Sequence, residues 1–175
     1  MTSRPSFPAI VRPYRPGDLS TLLPLNNAAV PAVNELTAEE LVDLVNSALI
    51  CLVAEIDGQP AGFLLCLGDG DTYDSRNYRW LSERLSNFAY TDRIAVDAQQ
   101  RGRKIGEALY DALFRHLAGT GRCFVCEVNE RPPNPGSLKF HKRLGFEEIG
   151  NADHGDKAVV YLKRPPQPAN PDQGA

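Results

Sequence analysis

"IAVDAQQRGRKIGEALYDAL", residues 94–113, runs from a β-branched start through a turn crowded with basic side chains into a helical stripe. It completes "FAYTDRIAV" (88–96), which has strand composition, and from Ile105 the apolar residues Ala108, Leu109, Ala112, Leu113 and Leu117 keep helical spacing. A strand, a short turn and a helix opening near residue 103 bring backbone N–H groups to one point, where the helix dipole favours an anion. Gly102 and Gly106 let an anion approach the main chain. The cations Arg101, Arg103 and Lys104 oppose the dipole at this end, which a bound phosphate accounts for better than a solvated helix start does. The known nucleotide loops match poorly, because the two glycines stand four apart with no third. Alone, the stretch marks an unidentified anion site.

The rest of the chain narrows the setting. Its 175 residues, 42% hydrophobic and 23% charged, suit one ordinary globular domain. A net charge of -3 argues against a general nucleic-acid binder. The longest apolar run, "ALICLVAEI" (48–56), is too short to span a bilayer, and "MTSRPSFPAI" lacks a secretory apolar stretch, so the expected compartment is the cytoplasm without membrane attachment. Cys123 and Cys126 lie three apart in a strand-like run and so face opposite ways; with Cys51 and Cys66 they read as small buried hydrophobes, and no metal is expected.

Proline-rich, polar ends leave 1–8 and 164–175 as expected flexible termini around a single domain over 9–163. Within it, "AIVRPY" (9–14) reads as a strand, Asp18 as the N-cap of a helix from Leu19, and Pro24 as an early interruption that leaves 25–36 kinked or loop-like. Thr37 and Glu40 form a capping box for "AEELVDLVNSA". "LICLVAEI" and "AGFLLCLG" form a hairpin through Asp57-Gly58. A short helix near "YRWLSERL", the 88–96 strand and the helix from 105 follow, the last stopped by Gly119 and Gly121. "CFVCEV" is a strand, "NERPPNPG" a loop, "SLKFHKRL" a short helix ended by Gly145, and "FEEIG" and "KAVVYLKR" close the chain as strands. The order predicts an α/β (α+β) mixed sheet with helices packed on it.

On these residues a resemblance appears. Residues 94–113 are similar to the coenzyme-A-binding segment of the GNAT superfamily of N-acetyltransferases, whose pattern is [QR]xxGx[GA] between a strand and a long helix. Arg101 matches its first position and Gly106 its last, while Lys104 replaces the middle glycine. "NPGSLKFHKRLGF" (134–146) resembles the family's later block, NxxAxxLYxKxGF, with Asn134, Ser137, Phe140, His141, Gly145 and Phe146 in register. The resemblance implies a mostly antiparallel sheet of about seven strands with helices on both faces. It also implies acetyl-CoA as cosubstrate, its pyrophosphate on the turn Arg101, Gly102, Arg103, Lys104, Ile105 and Gly106 and its pantetheine arm along Ile94, Ala95 and Val96. Asn134, Ser137 and Phe140 complete that coenzyme set.

The implied reaction is attack of a primary amine of a small molecule, amino-acid derivative or peptide on the thioester; the alternative is a non-catalytic acyl-CoA sensor of the same fold. His141 stands where the family often has a tyrosine acid, and its ordinary pKa suits proton donation near neutral pH. In the 88–96 strand Tyr90, Asp92 and Ile94 share a face. Asp92 is the carboxylate nearest the acetyl site and a candidate base, and Glu127 in the adjoining strand is a second, either as base through water or as a clamp for a substrate ammonium. In the family, the first interhelical loop and the excursion before the fourth strand wall the acceptor site, which singles out Asn27, Glu35, Tyr73, Tyr78 and Trp80, with Tyr90 and Asn129 beside them. No interface pattern stands out, and a homodimer stays open.

Overall fold

The structure, a computed structural model, describes residues 8–171, so 1–7 and 172–175 of the expected flexible ends lie outside it. Seven strands form one mixed sheet flanked by helices: β1 (Ile10–Pro13), β2 (Ile50–Ile56), β3 (Gln59–Gly68), β4 (Phe88–Val96), β5 (Cys123–Arg131), β6 (Glu147–Asp153) and β7 (Ala158–Arg164). Their order is β1-β2-β3-β4-β5-β7-β6. The helices are α1 (Leu19–Ala28), α2 (Ala38–Ser47), α3 (Arg76–Ser82), α4 (Ile105–His116) and α5 (Pro135–Arg143). None is long and apolar enough to cross a membrane. The chain divides into two compact units, each discontinuous: one from residues up to 65 with 93–113, the other from 66–92 with 114 onward.

In the first unit β1 pairs antiparallel with β2, from Ile10↔Glu55 to Pro13↔Leu52. β2 turns into β3 through Asp57 and Gly58, whose φ values of 51° and 75° are those of a type I′ hairpin. Such a turn follows the right-handed strand twist, and an Asp-Gly pair tolerates it. Residues 61–67 of β3 are buried without a break, as an apolar run covered on both faces should be.

Two expectations for α1 need correction. Asp18 does not cap it through its side chain. The carboxylate instead accepts from the Arg15 amide at 2.7 Å and from both terminal nitrogens of Arg12 at 2.8 Å, ending a 3₁₀ turn at Pro16–Asp18. Nor does Pro24 break the helix, which runs on to Ala28. Pro24 and Ser20 both lie on the exposed side, so the Ser20 carbonyl that loses its intrahelical donor can turn to water. At α2 the expected capping box is present, with Thr37 Oγ1 accepting from the Glu40 amide and Glu40 Oε2 from the Thr37 amide.

In the second unit β4 and β5 pair in parallel from Phe88↔Cys123 to Tyr90↔Val125, and β7 is antiparallel to both β5 and β6. β5 runs to Arg131, three residues into the expected loop, because Asn129 and Arg131 still find register partners in Val159 and Ala158. Gly119, Gly121 and Gly145 take φ values of 77°, 73° and 92°, the left-handed stops expected after α4 and α5. The segment after 163 is not wholly outside the fold: Arg164 ends β7, and the Gln167 carbonyl accepts from the Gly119 amide at 2.9 Å.

Candidate functional site

In the first unit β4 ends in the basic turn of residues 97–106. The Asp97 amide donates to the Ala61 carbonyl at 2.8 Å, tying the strand end to β3, and Asp97 Oδ1 caps a 3₁₀ turn at Ala98–Gln100 through the Gln99 amide. Gly62 allows a close fit: a Cβ there would lie 3.0 Å from the Ala95 carbonyl oxygen and 3.0 Å from Ile105 Cγ2. β3, the end of β4 and the start of α4 therefore meet around a missing side chain. Gly102 follows with φ 81° and Lys104 with φ 58°.

Lys104 is thus a lysine in a left-handed conformation that glycine adopts freely, at a cost of about 1 kcal/mol. It replaces the middle glycine of the resembled pattern, at a position whose φ suits glycine. The Lys104 carbonyl accepts from the Ala108 amide as the first bond of α4, so the amides opening the helix have no intrahelical acceptor. Arg101 and Lys104 are exposed, and Arg103 donates to Gln100 Oε1 at 2.7 Å. Converging amides, an open glycine and exposed cations form a donor set suited to a pyrophosphate.

The same unit builds a second polar feature under the loop between α1 and α2. Arg93 is only 3% exposed and donates to Asn26 Oδ1 at 2.8 Å and Asn34 Oδ1 at 2.9 Å. Asn27 accepts from the Leu36 amide and donates to the Leu36 carbonyl, which fastens the loop on itself. Asn27 was expected to contact substrate; its described bonds hold the loop, while Glu35 beside it is exposed.

The second unit gathers four side chains from four elements. Tyr90 of β4 donates its hydroxyl to Glu127 Oε1 of β5 at 2.9 Å, and Asn77 of α3 donates Nδ2 to the same oxygen at 3.1 Å. Tyr161 of β7 donates its hydroxyl to Asn77 Oδ1 at 2.9 Å. Glu127 Oε2 is enclosed and has no hydrogen-bond partner among the described residues. The residue keeps some exposed surface overall, while Oε2 itself is enclosed. Burial pushes this carboxyl up to about 8; the charge of Asp92 adds to the rise, while the bonds from Tyr90 and Asn77 pull against it.

Aromatic packing fixes the array. Trp80, one turn beyond Asn77 on α3, stacks on Tyr161 with centroids 3.9 Å apart and an interplanar angle of 9°. Gly150 and Glu127 are the register partners of Tyr161 on either side. A Cβ at Gly150 would lie 2.7 Å from Trp80 Cη2 and Cζ2, so the indole occupies space that only glycine leaves open. Tyr78 takes a different place from the one expected. It is 3% exposed, with its hydroxyl donating to the Gly68 carbonyl and accepting from the Asp71 amide, which makes it a core tyrosine packed on Tyr73, Phe88 and Tyr90.

His141 also differs from expectation. It is 3% exposed between Phe140 and Phe146, and its Nδ1 lies 2.8 Å from the Ser137 carbonyl, which can only accept, so the proton of the neutral ring is on Nδ1. Burial pulls its pKa below the ordinary value, and the bond to the Ser137 carbonyl pulls against that. Asn134 Oδ1 caps α5 by accepting from the Ser137 amide at 3.3 Å, and the Asn129 carbonyl accepts from the Asn134 amide. Asn77, Tyr161, Gly62 and Gly150 were missed from the sequence. A glycine inside a strand marks a close approach, and that signal was present at 62 and 150.

Comparison with known proteins agrees with this architecture. Residues 21–146 match the acetyltransferase (GNAT) family. An uncharacterized N-acetyltransferase of Methanocaldococcus jannaschii is 35% identical over 97 residues, covering 55% of this chain and 38% of that protein. An aminoglycoside N(6′)-acetyltransferase type 1 of Klebsiella pneumoniae is 24% identical over 122 residues, covering 68% of this chain and 58% of its own. The matched region thus spans between about four and six tenths of these relatives. Among solved structures, Ard1 from Thermoplasma volcanium superimposes with a TM-score of 0.73 at 18% identity, over 91% of this chain and 99% of its own. The ribosomal-protein-S18-alanine N-acetyltransferase from Escherichia coli gives 0.70 at 16% identity, over 94% and 97%. With both sequence blocks inside the matched region and the same fold around them, the chain belongs to the GNAT acetyltransferase family.

Proposed function

We propose that this protein transfers an acetyl group from acetyl-CoA to a primary amine of a small molecule, amino-acid derivative or peptide, with Glu127 as the base. The observation that carries the reading is the enclosed, unpartnered Oε2 of Glu127, in a carboxyl that burial raises to about 8. A base works best when its pKa lies near the working pH, and an ordinary surface glutamate would be far too weak. Asp92 contributes negative charge beside it, which also favours an approaching ammonium.

Acetyl-CoA supplies the activated acyl group as a thioester. Arg101, Lys104 and the amides that open α4 fit its pyrophosphate, and Ile94, Ala95 and Val96 present the strand edge for its pantetheine arm. Arg93 and Asn27 hold the α1–α2 loop in shape, a positioning task for the acceptor side. Relatives act on aminoglycosides and on spermine or spermidine, as their names state, which makes amines the class to test.

The experiment incubates the purified protein and acetyl-CoA with peptides of varied N-terminal residue, spermidine and an aminoglycoside, reading thiol release and product mass. Transfer to at least one amine, lost in Glu127→Gln, is the expected result. Coenzyme binding by calorimetry with no thiol released above background for any amine would instead favour an acyl-CoA sensor.

A further inference from the structure

Glu127 has two carboxyl oxygens in unlike surroundings. Tyr90 and Asn77 both donate to Oε1, at 2.9 Å and 3.1 Å, while Oε2 is enclosed and without a described partner. An asparagine amide can normally turn over, presenting either its nitrogen or its oxygen to a neighbour. Once ionised, Glu127 only accepts, so in that form Nδ2 faces the carboxylate, and the amide oxygen takes the hydrogen bond that Tyr161 donates at 2.9 Å. Tyr161 is itself immobilised by the Trp80 stack, which Gly150 makes room for, with Arg84 4.1 Å from the indole centroid.

We infer that Asn77 and Tyr161 are positioning residues that keep the donors on Glu127 Oε1 and so leave Oε2 as the oxygen that takes the proton. Tyr161 sets the amide, the amide sets the carboxyl, and the carboxyl keeps one oxygen unengaged. The groups that act on Glu127 are Tyr90 and Asp92 from β4, Asn77 from α3 and the backbone amide of Glu127 itself, while Tyr161 of β7 donates to Asn77 and the Arg84 charge reaches Tyr161. Of these, Asn77 is the side-chain amide, whose flip would turn its oxygen toward the carboxylate, so it needs a partner to hold it.

The inference rests on Glu127 being the base, and its test separates the two. Protein labelled with carbon-13 at glutamate carboxyls is titrated by NMR, with Glu127→Gln identifying the resonance; no acceptor substrate is required. Asn77→Leu removes a donor to the charged form and is expected to raise the Glu127 midpoint by about one pH unit. Tyr161→Phe keeps the ring and its stack, and is expected to raise the midpoint by a smaller amount in the same direction. The double variant should match Asn77→Leu alone, because Tyr161 acts only through the amide. An unchanged midpoint in Tyr161→Phe, or additive shifts in the double variant, overturns the inference while leaving Glu127 as base intact. A wild-type midpoint in the ordinary carboxylate range overturns the base reading itself. Should Asn77→Leu not fold, the Tyr161→Phe midpoint decides alone.

Discussion

The turn at Asp97–Gly106 and the Glu127 array are polar features of opposite construction. The turn is made mostly by neighbours in sequence, holds Arg101 and Lys104 exposed, and takes left-handed backbone at Gly102 and Lys104. The array joins residues 37, 50 and 84 positions apart, and its central carboxyl is enclosed. Water and salt screen an exposed cation, so each contributes little and can be exchanged at small cost. A buried carboxyl has no such cushion, and each hydrogen bond changes how readily it ionises. The difference predicts graded tolerance in the turn and abrupt loss in the array.

The sharpest way to break that contrast is Glu127→Gln. It should lower kcat by roughly 10²–10⁴ while leaving acetyl-CoA affinity by calorimetry within about twofold. The same variant carries a substrate-free signature. Folded Glu127 holds its proton up to about pH 8, against an ordinary value of 4.5, so the folded state binds more protons between the two and stability falls as pH rises through that window. Denaturant unfolding at a series of pH values should show this fall in the wild type and a flatter profile in Glu127→Gln.

Next in size is Gly150→Ala. The new Cβ would meet a rigid indole at 2.7 Å, so Trp80 must leave its stack on Tyr161 or the β6 backbone must shift. Overpacking of this kind costs about 1–3 kcal/mol, read as a lowered Tm, and the Glu127 midpoint should move with it. A variant with native Tm and midpoint would show that the aromatic clamp is dispensable.

Arg101→Ala combined with Lys104→Ala should weaken acetyl-CoA binding by about tenfold at low salt, and by less as salt is raised. An effect independent of salt would place these cations in a screened, buried role that the exposed turn does not offer. The smallest change is expected from Lys104→Gly, which relieves the left-handed strain at φ 58°. Its net effect on stability should lie within about 1 kcal/mol, because glycine also loses more conformational freedom on folding. A large loss would mean that the lysine side chain, not the backbone shape, holds the turn.

Legibility in the sequence followed the same division. The capping box at Thr37, the hairpin at Asp57-Gly58 and the stops at Gly119, Gly121 and Gly145 are local signals, and each appears where its residues called for it. Pro24 misled because a helix tolerates proline where the freed carbonyl can reach water, and exposure is not written locally. Glu127 and Tyr90 were singled out, but as separate candidates; Asn77 and Tyr161, which link to them, were not. His141 offers a proton donor by residue type, whereas its burial and its bond to the Ser137 carbonyl come from packing.

By itself, then, the sequence determined the succession of strands and helices, the cationic turn and the family blocks, because periodicity, capping and turn chemistry act over a few residues. Only the tertiary structure decided which oxygen of Glu127 is left without a donor, which way Asn77 faces and why position 150 is glycine. Those depend on side chains brought together from separate elements by packing, and on burial, which sets the energy of every charge and hydrogen bond it encloses.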